Sequence, residues 1–152
     1  MKKTIGATIL LVFLLAACGQ VKADVPDNTE ARTAQALVEL YMDANLTYDA
    51  DALVALYSED LIFMDYGGND GPLNKGNLDY FIHETMADKT FKYKFLSYLV
   101  TPDGRFAVLQ AIYSQPAALS NKWASVSCVC VLEFRDGLIV NETWYYNGEK
   151  LH

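Results

Sequence analysis

The sequence predicts one α+β domain, with three helices first and a curled antiparallel sheet after them. Three observations predict it. Apolar residues recur at helical spacing as far as Met86, they alternate with a period of two after Lys89, and Gly, Pro, Asn and Asp gather at the breaks between.

The first helix opens at Thr29, where Ala34, Leu37, Val38, Tyr41 and Ala44 form one stripe while Glu39 and Asp43 lie away from it. Asp49 is placed to N-cap a second, shorter helix that runs to Tyr57. Asp51 stands in its first turn, where the helix dipole favours negative charge, and Leu53, Leu56 and Tyr57 turn inward. Ser58-Glu59-Asp60 ends this helix. A short strand, Leu61 to Asp65, then enters the turn-forming stretch Gly67-Gly68-Asn69-Asp70-Gly71-Pro72.

A third helix starts near Asn74 and buries Leu78, Phe81 and Ile82, with Met86 near its end. Beyond Lys89, Phe91, Tyr93 and Phe95 alternate with Lys92 and Lys94, and Thr101-Pro102-Asp103-Gly104 turns the chain into a strand from Arg105 to Ser114. A loop carrying Pro116 leads to a long strand, Trp123 to Phe134. Arg135-Asp136-Gly137 returns it as a last strand, Leu138 to Tyr146.

Residues 1–17 have the layout of an export signal, with Lys2 and Lys3 before the short apolar run Ile5 to Leu15. That run falls well short of the roughly 20 residues of a membrane span. Leu15-Ala16-Ala17-Cys18-Gly19 follows it and resembles the lipobox of bacterial lipoproteins. The resemblance implies cleavage before Cys18 and acylation of its thiol, so the protein is expected outside the cytoplasm, held to the membrane by lipid alone. Gly19, rather than Asp, after the Cys resembles the pattern that sorts to the outer membrane facing the periplasm, where a cell has two membranes. Residues 18–28 are polar, carry Pro26 and form a tether; residues 29–152 form the domain.

Removing Lys2 and Lys3 from the 12 basic residues leaves 10 against 19 acidic ones, a net charge of −9. Nucleic acid is therefore excluded as a partner of the folded part. Ten Tyr and seven Phe argue for a filled interior or a ligand pocket. Cys128 and Cys130 alternate on one strand, where their Cα atoms lie about 6.6–6.8 Å apart. A disulfide needs Cβ atoms at about 3.5–4.5 Å, so both are read as free thiols. His83 and His152 stand apart from any Cys or acid cluster, so neither a metal nor another cofactor is expected. There is no phosphate-binding glycine loop, nucleophile elbow or triad-like motif.

Taken together, Tyr41, the Asp49-to-Tyr57 helix, Leu61-Ile62-Phe63-Met64-Asp65-Tyr66-Gly67 and Glu133-Phe134-Arg135-Asp136-Gly137-Leu138-Ile139 resemble the nuclear transport factor 2-like superfamily. That group includes ketosteroid isomerases and SnoaL-like polyketide cyclases. The resemblance runs from about Ala31 to Tyr146 and implies a cone, in which the sheet wraps the helices around an apolar cavity open at one end.

It also implies roles for residues. Asp65 falls on the position of the isomerases' general base. Tyr41, 24 residues before it, falls on the phenol that polarises the substrate oxygen, and Tyr57 on a further Tyr behind that donor. Cys130 stands where those enzymes place a protonated Asp. A thiol is a weak donor, and losing one such donor costs about 2.7–4 kcal/mol of transition-state stabilisation. Efficient steroid isomerisation is therefore not expected.

Plainer readings stay open at the same residues. Tyr41 lies on an apolar stripe and can be core, Asp65 can accept hydrogen bonds from the glycine turn, and Cys128 and Cys130 can be small core side chains alternating inward with Val126, Leu132 and Phe134. Glu142, Trp144 and Tyr146 share one strand face, which is either cavity wall or a surface for forming a homodimer. Two functions follow. One is a lipid-anchored domain enclosing a small apolar molecule, with weak acid–base activity of the isomerase, cyclase or dehydratase kind at Asp65 and Tyr41. The alternative is a non-catalytic accessory lipoprotein that binds a protein or its own copy through the sheet.

Overall fold

The computed structural model describes residues 29–66, 71–89, 91–116 and 123–147. The expected signal, Cys18, the tether and most of the glycine-rich turn lie outside the described residues.

Helix α1 (Thr29–Thr47) follows the expected stripe, with Ala34, Val38, Tyr41 and Ala44 buried. Tyr48, at a left-handed φ of 58°, breaks it, and the Asp49 side chain accepts the Ala52 amide at 2.9 Å to start α2 (Ala50–Val54). The sequence placed the end of this helix at Tyr57, and here the structure differs. The last turn tightens through Leu56 N–H to the Leu53 carbonyl, and the Leu56 carbonyl then accepts the Ile139 amide at 2.8 Å. Strand pairing with a distant residue overrides local helix propensity, so Tyr57 opens strand β1 (Tyr57–Asp65).

After β2 (Leu73–Asn74), Asn74 caps α3 (Lys75–Asp88) by accepting the Asn77 amide. Leu78, Ile82 and Met86 are buried as the period requires. Phe81, expected inside, is 44% exposed.

Strands β3 (Lys92–Val100), β4 (Phe106–Pro116), β5 (Trp123–Arg135) and β6 (Leu138–Asn147) form an antiparallel run. Pro116 ends β4 instead of lying in a loop, opposite Trp123. Asp136 and Gly137, both at positive φ, make the two-residue turn between Arg135 and Leu138, as an Asp-Gly hairpin demands.

The sheet has the order β2-β1-β6-β5-β4-β3 and is curved and mixed. The expectation of a wholly antiparallel sheet is corrected at one seam, because β1 runs parallel to β6, with Phe63 opposite Glu142 and Asp65 opposite Trp144. Alternation along a strand specifies which side chains face inward; it carries no information on the direction of the neighbouring strand. The helices cover the inner face, and the core between them holds Val38, Leu78, Leu109, Leu132 and Ile139. Each such side chain contributes about 1.5–3 kcal/mol by leaving water. The β3–β4 turn lies against the start of α1, where a Cβ on Gly104 (φ 67°) would stand 2.4 Å from the Glu30 carbonyl carbon.

Candidate functional site

Strand β6 presents Glu142, Trp144 and Tyr146 to the inner face, since alternate residues of a strand share a face. Glu142 is 2% exposed, which is costly for a carboxylate unless polar groups meet it. Three do. Its Oε1 accepts the Tyr41 hydroxyl at 2.7 Å and the Trp144 indole N–H at 2.6 Å, and its Oε2 accepts the Tyr57 hydroxyl at 2.6 Å. The donors come from the middle of α1, from β6 itself and from the first residue of β1. The shift of Tyr57 from helix to strand is therefore part of how the site is made.

Burial pushes the Glu142 carboxyl above its ordinary value of 4.5, although the donations from Tyr57, Tyr41 and Trp144 all pull it down. Burial also raises the phenols of Tyr41 and Tyr57 well above 10, so both keep their protons and stay donors.

This cluster borders a cavity of about 90 Å³. A single water needs roughly 10–15 Å³ measured this way, so the space suits a molecule of roughly half a dozen heavy atoms. It is far smaller than the ~300–1,000 Å³ of drug-sized pockets. Asp65, half-buried at the end of β1, lines it, and so do Tyr41, Tyr57, Glu142, Trp144 and Tyr146. The exposed side of Phe81 explains itself here, since Phe81 also lines the cavity.

Four residues expected in the pocket do not line it. Val126, Cys130, Leu132 and Phe134 all point inward from β5 and are buried. A strand of 13 residues runs about 43 Å, however, and the cavity occupies only part of that length. Phe134 lies at the far end beside Ala34 and Leu37 of α1. Cys130 is fully buried behind Tyr41, its Sγ 3.9 Å from the phenol oxygen. The position the resemblance reserves for a second oxyanion donor is thus taken up with packing, and the Tyr41 hydroxyl donates its hydrogen bond to Glu142. Cys128 donates its S–H to the Ala111 carbonyl, and burial pushes its thiol up to about 11. Both cysteines are free.

Sequence reasoning passed over Tyr93, Tyr113 and Asn45, which also line the cavity. The alternation of Phe91, Tyr93 and Phe95 already pointed Tyr93 inward. For Tyr113 the signal was its register opposite Val126, visible only once the strands are paired.

No family model matches the chain, and no curated protein does. Solved structures do. An NTF2-like protein of unknown function from Mesorhizobium loti is 17% identical with a TM-score of 0.66, the match covering 81% of this chain and 97% of that one. A candidate polyketide cyclase from Xanthomonas campestris pv. campestris is 17% identical with a TM-score of 0.65, over 78% and 93% of the two chains. An LEH-like epoxide hydrolase from M. tuberculosis is 16% identical with a TM-score of 0.64, over 79% and 86%. At these identities the likeness is one of fold. With helices inside a curved six-stranded sheet and a cavity where β1 and β6 meet, the chain has the nuclear transport factor 2-like fold.

Proposed function

We propose that this domain encloses a small molecule and performs acid–base chemistry on it of the isomerase, cyclase or dehydratase kind, held at a membrane by lipid on Cys18. The observation that carries the reading is that two carboxylates, Asp65 and Glu142, and two phenols, Tyr41 and Tyr57, border one small cavity. Cyclase and hydrolase assignments among proteins of the same fold support it.

The roles divide by environment. Asp65, half-buried on the cavity lining at the end of β1, is the proton acceptor. Glu142, Tyr41 and Tyr57 form a proton-holding group. When Glu142 is protonated, it donates to one of the two phenol oxygens, and that phenol's hydrogen turns toward the oxygen of the bound molecule. Burial favours this state, and the phenol then stabilises an enolate as Asp65 removes the proton beside it.

Solvent deuterium exchange into cyclopentanone, catalysed by the full-length protein, tests this. Asp65→Asn is expected to abolish the exchange and Tyr41→Phe to slow it by a smaller factor. Undiminished exchange in Asp65→Asn would remove the base from the scheme.

A second reading has its own observation. The outer face of the sheet carries Ile62, Leu99, Val108 and Tyr145 exposed, with Tyr66 stacked on Tyr145 at 5.2 Å. Such a face suits a protein partner or a second copy. Val108→Lys is expected to shift sedimentation to a smaller species if the face is used between copies.

A further inference from the structure

The lining of the cavity has a composition that selects by charge. Asp65 and Glu142 supply two carboxylates, and among the described lining residues none is Lys, Arg or His. The rest of the polar lining is mainly phenol, indole and amide. An anion finds no countercharge here.

The aromatic residues are arranged as a circuit. Tyr93 stacks on Trp144 at 5.2 Å between ring centroids, Trp144 on Tyr146 at 6.2 Å, Tyr146 meets Tyr113 edge-on at 6.2 Å, and Tyr113 returns to Tyr93 at 5.3 Å. All four line the cavity, as does Phe91. Electron-rich aromatic walls around a small space attract cations whose charge is spread over methyl or methylene groups, and they do so most strongly when water is excluded.

We propose that the cavity takes a small alkylammonium cation, its carbon groups against Tyr93, Tyr113, Trp144 and Tyr146 and its charge facing Asp65 and Glu142. This rests on the reading that the domain encloses a small molecule, and it names the class of that molecule. The size agrees, since about 90 Å³ accommodates an ammonium centre with three or four small substituents and excludes a polycyclic skeleton. Charge balance agrees as well. A bound cation supplies a positive charge that no described lining residue offers.

The experiment titrates the full-length protein in detergent with three probes of nearly equal shape: tetramethylammonium, neutral tert-butanol and anionic pivalate. Binding is followed by NMR of the probe's methyl signal. Tetramethylammonium is expected to bind at least about tenfold more tightly than tert-butanol, and pivalate more weakly than either. Asp65→Asn is expected to erase most of that preference, and Asp65→Glu to keep it. Equal binding of the cation and the alcohol, or an Asp65→Asn protein with its preference intact, overturns the cation assignment and leaves enclosure standing. Binding of none of the three overturns enclosure itself.

Discussion

Replacing Glu142 with Gln keeps the shape of the side chain and removes its charge, so it measures what the charge costs. In the native protein one carboxylate satisfies three donors at 2.6–2.7 Å. A carboxamide whose oxygen takes the Oε1 position still accepts from Tyr41 and Trp144. Its NH₂ then faces Tyr57, whose hydroxyl hydrogen loses its acceptor, at a cost of about 1–3 kcal/mol. Against that stands the pH dependence. Burial raises the native carboxyl above the unfolded value of about 4.5, so between that pH and the native value the folded protein holds more proton than the unfolded chain. Stability from this group is therefore fully present below pH 4.5 and is lost as pH rises through the native value, with a limiting slope of about 1.4 kcal/mol per pH unit. Glu142→Gln has no such proton to lose. Urea denaturation of both proteins from pH 4 to pH 8 should show Glu142→Gln close to the native protein at the acid end, where the protonated carboxyl donates to a phenol as the carboxamide does, and gaining on it as pH rises. A deficit that grows with pH would mean that the three donors outweigh burial, and the account of this site would fail.

Cys18→Ser is expected to move the protein from the membrane fraction to the soluble one; recovery of an unlipidated wild-type chain beginning elsewhere than Cys18 would refute the anchor. Thiol labelling should find two free cysteines in the denatured lipoprotein and few or none in the native one, because Cys128 and Cys130 are buried and unpaired. A native bridge between them would contradict the β5 strand. Gly104→Ala is expected to cost more than the ~1–2 kcal/mol of a left-handed residue, because the new Cβ meets the Glu30 backbone as well. A loss under about 0.5 kcal/mol in urea denaturation would show that the turn moves freely off α1.

What could be read beforehand was what a few neighbouring residues decide. Asp49 caps its helix through an amide three residues on, the Asp-Gly turn needs only its own two dihedrals, and the inward set Glu142, Trp144 and Tyr146 follows from the pleat. What could not be read depends on partners far along the chain. Helix α2 stops early because Ile139 captures the Leu56 carbonyl. The alternation of β5 marked Val126, Cys130, Leu132 and Phe134 as inward, yet whether an inward residue meets cavity or helix depends on where α1 lies against the sheet. Glu142 was legible as a pocket residue. Its place at the centre was not, because its donors lie on three separate elements.

The parallel seam between β1 and β6 also sets a clock on synthesis. Tyr57 and Glu142 are 85 positions apart, and a ribosome adding about 5–20 residues per second needs roughly 4–17 s to cover that interval. Throughout it, β1 exists without the neighbour that pairs along most of its length, and Leu61 and Phe63 have no floor to close against. A nascent chain in that interval carries an apolar strand with an open edge, the kind of segment that chaperones hold and that aggregates when they do not. Chains that terminate before β6 should therefore accumulate as insoluble material, even though all three described helices and five of the six strands have already been made.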